Sequence, residues 1–194
     1  MASFRREHVI ASALAFGLGC SVGGGEGSLG GAVSAPDCDV DVADYQLTPS
    51  FFSGEVTGAQ LDLRIQRGSA IESDADGLMV QILDVNEVFQ SRIGIPIPIS
   101  PSERALLRAV LYLNETCKAG FPDFFDQRPL IMEAQSGAIV FSAVYAPDLD
   151  AGATLIAGEL VDVRFSDHEQ PDRSAALSGT FSFFYQRGSP AQRF

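Results

Sequence analysis

Leu177-Ser-Gly-Thr-Phe-Ser-Phe-Phe-Tyr-Gln-Arg-Gly188 is the stretch whose reading decides the fold class. An earlier stretch, Leu61-Asp-Leu-Arg-Ile-Gln-Arg-Gly68, ends in the same three residues. Aligned on Gln-Arg-Gly, Leu61, Leu63 and Ile65 share a phase with Phe181, Phe183 and Tyr185, so each stretch offers one apolar face at period two. That period marks a half-buried antiparallel strand, and the two stretches are expected to belong to one core. Arg67 and Arg187 continue the inward phase. They are expected at the sheet rim as structural strand-end residues, where a guanidinium covers apolar side chains and reaches acidic turns.

Working outward, other segments carry strand chemistry. Leu78 to Val85 is apolar on both faces, as a central strand is, and Asp84-Val-Asn86-Glu reads as the turn into a further strand, Val88 to Ile93. Ile93-Gly-Ile-Pro-Ile-Pro-Ile99 places prolines where a ladder needs donors, so it belongs on an edge or runs as a strap over the core. Val110 to Leu113, Leu130 to Glu133 and Ala138 to Tyr145 supply three more, the last two separated by Ser136-Gly137. Thr154 to Phe165 is long, and its apolar phase changes between Leu160 and Val161, which suggests a bulge. The expected fold is all-β, an antiparallel β-sandwich of roughly eight to ten strands occupying residues 37–190.

The first residues differ in character. Arg5 and Arg6 supply positive charge, Val9 to Leu18 supply a short apolar run, and Gly19 precedes Cys20, the layout of an export signal over 1–19 that is too short to span a bilayer. Phe16-Gly-Leu-Gly-Cys20 resembles a bacterial lipoprotein signal, which implies lipidation of Cys20; an ordinary secretory signal is the alternative. Ser21 lacks the aspartate associated by that resemblance with inner-membrane retention, so the expected location is the outer membrane, facing the periplasm or the cell surface. Residues 20–36, rich in Gly and Ser, are expected to form a flexible tether. Gly25-Glu-Gly27-Ser-Leu-Gly30 is a formal dinucleotide-binding match, but neither the strand before it nor the helix after it is predicted.

The formal net charge is -12, from 13 basic and 25 acidic side chains, and Lys118 is the only lysine. No Lys/Arg cluster follows Arg5 and Arg6, so neither a nucleic-acid groove nor a polybasic membrane patch is supported. With Cys20 assigned to lipid, Cys38 and Cys117 remain as an even pair in an oxidising compartment and are expected to form a disulfide, two buried thiols being the alternative. Closing a loop of roughly 80 residues constrains the unfolded chain by about 4 to 5 kcal/mol in the chain-entropy model.

Candidate chemistry is sparse. Glu72-Ser-Asp74-Ala-Asp76-Gly77 copies the first half of a calcium loop, so Glu72, Asp74 and Asp76 are candidate calcium ligands; the twelfth position, where such a loop carries a bidentate Glu, is Leu83. An acidic turn closed by Gly77 is the competing interpretation. Asp37, Asp39 and Asp41 raise the same choice between cation ligands and a solvated edge. His168 lies in a polar loop, with no Gly-x-Ser-x-Gly elbow to make it a catalytic base and no further nitrogen or thiolate ligands to make it a zinc site. Glu115 occupies the position where a Ser-x-x-Lys signature ending at Lys118 needs serine. No catalytic residues are assigned, and no cofactor other than calcium is suggested.

The Cys20 signal, Leu-Arg-Ile-Gln-Arg-Gly68, Tyr112-Leu-Asn-Glu-Thr-Cys117 and Gly179-Thr-Phe-Ser-Phe-Phe-Tyr-Gln-Arg-Gly-Ser-Pro-Ala-Gln192 together resemble lipoproteins of myxobacteria and related lineages, a group with no assigned activity. The resemblance implies a membrane-anchored, non-enzymatic envelope domain with a binding or structural role toward an envelope protein or a glycan. Two other classes stay open: a calcium-dependent adhesion or carbohydrate-binding module, and a hydrolase using loop carboxylates such as Asp123 and Asp126.

Overall fold

A computed structural model describes residues 24–68, 74–102, 105–118 and 130–185. Among them are ten strands, β1 (Gly25–Ala35), β2 (Val40–Leu47), β3 (Phe51–Thr57), β4 (Gln60–Gly68), β5 (Ala75–Ile82), β6 (Ile97–Pro98), β7 (Leu107–Leu113), β8 (Ile131–Ala143), β9 (Leu155–Ser166) and β10 (Ser174–Phe184). Two short helices, α1 (Val85–Ser91) and α2 (Asn114–Lys118), and a 3-10 turn at Pro36–Cys38 complete the elements. All ten strands join one antiparallel sheet in the order β2-β1-β10-β9-β8-β7-β5-β4-β3, with β6 paired to β8 beside this path.

The antiparallel all-β class is as expected, but two separately hydrogen-bonded sheets are not seen among the described residues. One continuous sheet curls until its ends face each other: Phe52 of β3 stacks on Phe183 of β10 with ring centroids 5.2 Å apart. The two edge strands, β2 and β3, are consecutive in sequence and joined by Thr48, Pro49 and Ser50 alone. Eight antiparallel steps separate them along the path, an even number, so both run in the same direction. Parallel neighbours need a crossover of about a dozen residues or more, which a three-residue link cannot supply; β2 and β3 are therefore successive halves of one bent strand that crosses the seam between the two ends of the sheet.

Period two places the core as the sequence implies, but β4 is not half-buried: Arg64 and Gln66 on its other face are buried as well. Leu61, Leu63 and Ile65 of β4 are fully buried, and Phe181 and Phe183 of β10 nearly so, on the same concave side as Leu78, Val80 and Ile82 of β5. Phe141 of β8 meets Phe181 edge to face at 6.2 Å. The bulge in β9 falls where the apolar phase changes: Leu160 and Val163 are both buried, while Val161 and Asp162 between them are exposed, and Asp162 adopts φ 47°.

Several expectations are corrected. Residues 25–35, assigned to a tether, form β1 and pair with β10 from Gly25↔Phe183 to Ser34↔Ser174, so the described folded part begins near residue 25 and not at 37. Gly/Ser composition there reflects close backbone approach, not slack. A Cβ on Gly31 would lie 2.0 Å from the Ala176 carbonyl oxygen, and one on Gly179 2.0 Å from that of Ser28, with φ of 153° and 148°. Leu29, Val33 and Ala35 then bury the alternate positions. The segment from Val88 is helical, because Asp84 caps α1 by accepting a hydrogen bond from the Glu87 backbone N–H at 2.9 Å, which outweighs the β-branched residues that follow. The two strands expected on either side of Ser136-Gly137 are one strand, β8, which bends there with Gly137 at φ 109°. The signal at 1–19 and Cys20 lie outside the described residues.

Candidate functional site

Three groups of polar side chains stand out, and each is positioned by strand register. The first lies at the end of the curled sheet. Arg67 and Asp76 are direct partners across β4 and β5, on the inward phase. Asp76 is fully buried and its two oxygens divide the work. Oδ1 accepts the backbone N–H groups of Glu115 and Thr116 at 3.1 and 2.9 Å, satisfying the start of α2. Oδ2 accepts from Arg67 at 2.5 Å, from the Tyr45 hydroxyl at 3.2 Å and from the Thr116 hydroxyl. Arg67 also donates to the Gln46 carbonyl oxygen at 2.8 Å and sits 5.7 Å from the Tyr45 ring centroid. Burial, followed by the neighbouring Asp76 charge, pushes the Tyr45 hydroxyl well above its usual range. Because Tyr45 and Gln46 belong to β2, this cluster ties the seam: it joins one edge strand to β4 and β5.

Of the candidate calcium ligands, Asp76 is thus committed to five protein donors, Asp74 is exposed, and Glu72 lies outside the described residues. No group of three or more His, Cys, Asp or Glu suited to a metal occurs among the described residues. Arg187, the second strand-end arginine, also lies outside them, as do Asp123 and Asp126. Cys38 and Cys117 are disulfide-bonded, with Cα atoms 5.1 Å apart, which fastens the turn after β1 to α2 beside the same cluster.

The second group went unnoticed in the sequence. Arg173 is buried in the turn before β10 and donates from Nε to Asp37 Oδ1 at 3.0 Å, from a terminal nitrogen to Asp37 Oδ2, and from the other to Asp167 Oδ2 at 2.8 Å. Hydrogen bonding from Arg173 holds the Asp37 carboxyl below its usual range. At Asp167, burial opposes the charge, but the Glu169 backbone N–H and Arg173 outweigh it, and this carboxyl is also lowered. Asp37 is therefore a structural ion-pair partner. His168 stands beside this loop, exposed, its Nε2 3.0 Å from Glu133 Oε2.

The third group surrounds an opening. β7 meets β8 only through Val110↔Glu133, Leu111↔Met132 and Tyr112↔Ile131, while further along β8 it is β6 that pairs with Ala138 and Ile139. Between these stretches Arg108 and Ala109 have no ladder partner on β8, and the sheet splits. The split holds a cleft of about 200 Å³ on the convex face, lined by Met79, Gln81, Pro101, Arg108, Val110 and Glu133 among others. Gln81 is the cross-strand neighbour of Arg108, yet its amide donates to Asp62 Oδ1 at 3.2 Å. The Arg108 Nε is buried without a hydrogen-bond partner. A guanidinium with a desolvated, unsatisfied N–H at a cleft is an unusual expense in a folded chain.

The first two groups spend their charges on each other and hold the fold closed; the third leaves charge facing a space. The fold and this site define an all-β protein with a small charged cleft where its sheet divides. Compared with protein-family models, with curated proteins and with solved structures, the chain matches none.

Proposed function

We propose that this protein is an exported, lipid-anchored envelope domain that binds its ligand without transforming it, with the β7–β8 cleft as the binding site. The observation that carries the location is the Cys38–Cys117 disulfide, a bond that persists in oxidising compartments outside the cytosol. The charged residues at Met1 to Arg6, the apolar run to Leu18 and Cys20 supply the matching address. The cleft supports binding because it offers one cation, one carboxylate and apolar walls. Replacing Cys20 with Ser, or treating cells with globomycin, is expected to change processing and release the protein from the membrane fraction. Unchanged processing and fractionation in both would remove the lipid anchor.

A further inference from the structure

Opposite charges that line one small cleft usually close on each other, because an ion pair relieves both. Arg108 and Glu133 do not. Both project from the convex face of the sheet into the β7–β8 split. Among the described residues Arg108 has no hydrogen-bond or ion-pair partner, and its buried Nε is unsatisfied. Glu133 turns its carboxylate to the exposed His168 at 3.0 Å instead. Glu133 pairs with Val110, one outward position along β7 from Arg108, so the two are diagonal neighbours across the cleft.

We infer that the cleft takes a small dipolar ligand, one carrying a carboxylate and an ammonium group on a short skeleton, as a free amino acid does. The guanidinium of Arg108 would receive the carboxylate, since its planar fork of terminal N–H groups matches two carboxylate oxygens. Glu133 would accept from the ammonium group. Met79, Val110 and Pro101 would line the remainder of the ligand's surface. At about 200 Å³ the cleft lies below the usual range for drug-sized ligands, which limits the occupant to a few heavy atoms beyond its charged groups. This inference rests on the cleft as the binding site but not on export, so it stands or falls separately from the Cys20 experiment.

The test is titration calorimetry on the purified full-length chain with L-alanine as probe, set beside propionate, ethylamine, N-acetyl-L-alanine and L-alanine amide. Saturable binding of L-alanine is expected, with propionate and ethylamine each weaker by about tenfold or more, because each satisfies one charge alone. Arg108→Met should lose both L-alanine and propionate. Glu133→Gln, at an exposed position where folding is not at stake, should lose L-alanine but retain propionate, collapsing the preference between them. The inference is overturned if L-alanine shows no saturable binding, if either variant binds it as the parent does, or if N-acetyl-L-alanine binds better than L-alanine. The last result would mark a carboxylate site without an ammonium subsite.

Discussion

Replacing Asp76 with Asn tests whether the buried carboxylate holds the seam of the sheet. The substitution keeps size and shape, and its remaining oxygen can still accept the Glu115 and Thr116 backbone N–H groups. The amide nitrogen, however, takes the place of Oδ2, which receives Arg67, Tyr45 and Thr116. The two hydroxyls can rotate to accept; Arg67 cannot, since a guanidinium has no acceptor. Losing a charge-assisted hydrogen bond costs about 1.5 to 3 kcal/mol, and leaving a buried charge unpaired costs more, about 3 to 5 kcal/mol. Arg67 keeps the Gln46 carbonyl, the Thr116 hydroxyl and an ion pair with Glu115 at 3.7 Å, and its side chain is 34% exposed, so its charge is not left unpaired and solvent screens part of the loss. About 2 kcal/mol is the expected total, within the range for a lost charge-assisted bond, which in a domain of this size lowers Tm by about 4 to 8 °C. Differential scanning calorimetry measures it, with Arg67→Met as the milder companion. A Tm for Asp76→Asn within about 1 °C of the parent would refute the argument that this cluster ties β2 to β4 and β5.

Two further outcomes follow from the other clusters. Asp37 and Asp167 both have folded pKa values below their unfolded ones, so the unfolded chain binds more protons as pH falls; their stabilisation is complete above about pH 4 and is lost as pH drops through the depressed folded values. Arg173→Met should remove about 2 to 3 kcal/mol at neutral pH, at the low end for a buried pair because Asp37 is partly exposed, and should flatten that acid limb; urea curves from pH 3 to 7 that stay parallel to the parent's would contradict it. Gly179→Ala should cost about 2 to 3 kcal/mol, because its Cβ would meet the Ser28 carbonyl oxygen, whereas Gly152→Ala in the exposed β8–β9 loop should be close to neutral; equal effects in chemical denaturation would remove the close-approach account of β1 and β10.

Much of the strand pattern was legible because period two is a local property. Leu61, Leu63 and Ile65 announce their face without reference to any other strand, and the position of Arg67 at the rim follows from continuing the count. The change of phase at Leu160 likewise locates a bulge that is written into a single strand. β1 was illegible for the opposite reason. Its glycines look like a linker until β10 is placed beside them, 2.0 Å from where a side chain on Gly31 would begin, and that neighbour lies about 150 residues away in sequence.

The sequence by itself determined the antiparallel strand class, the even cysteine pair and the inward phase of Arg67, all of which depend on residue type and short-range spacing. Only the tertiary structure decided that the sheet is single and curled, that Asp76 is a buried acceptor, and that Arg108 faces a split between β7 and β8. Which strands become neighbours depends on contacts far apart in the chain, and a residue such as Arg108 has no local mark of its role. Its alternation with Leu107 and Ala109 is that of any outward-facing strand position; the missing ladder partner beside it makes it a candidate site.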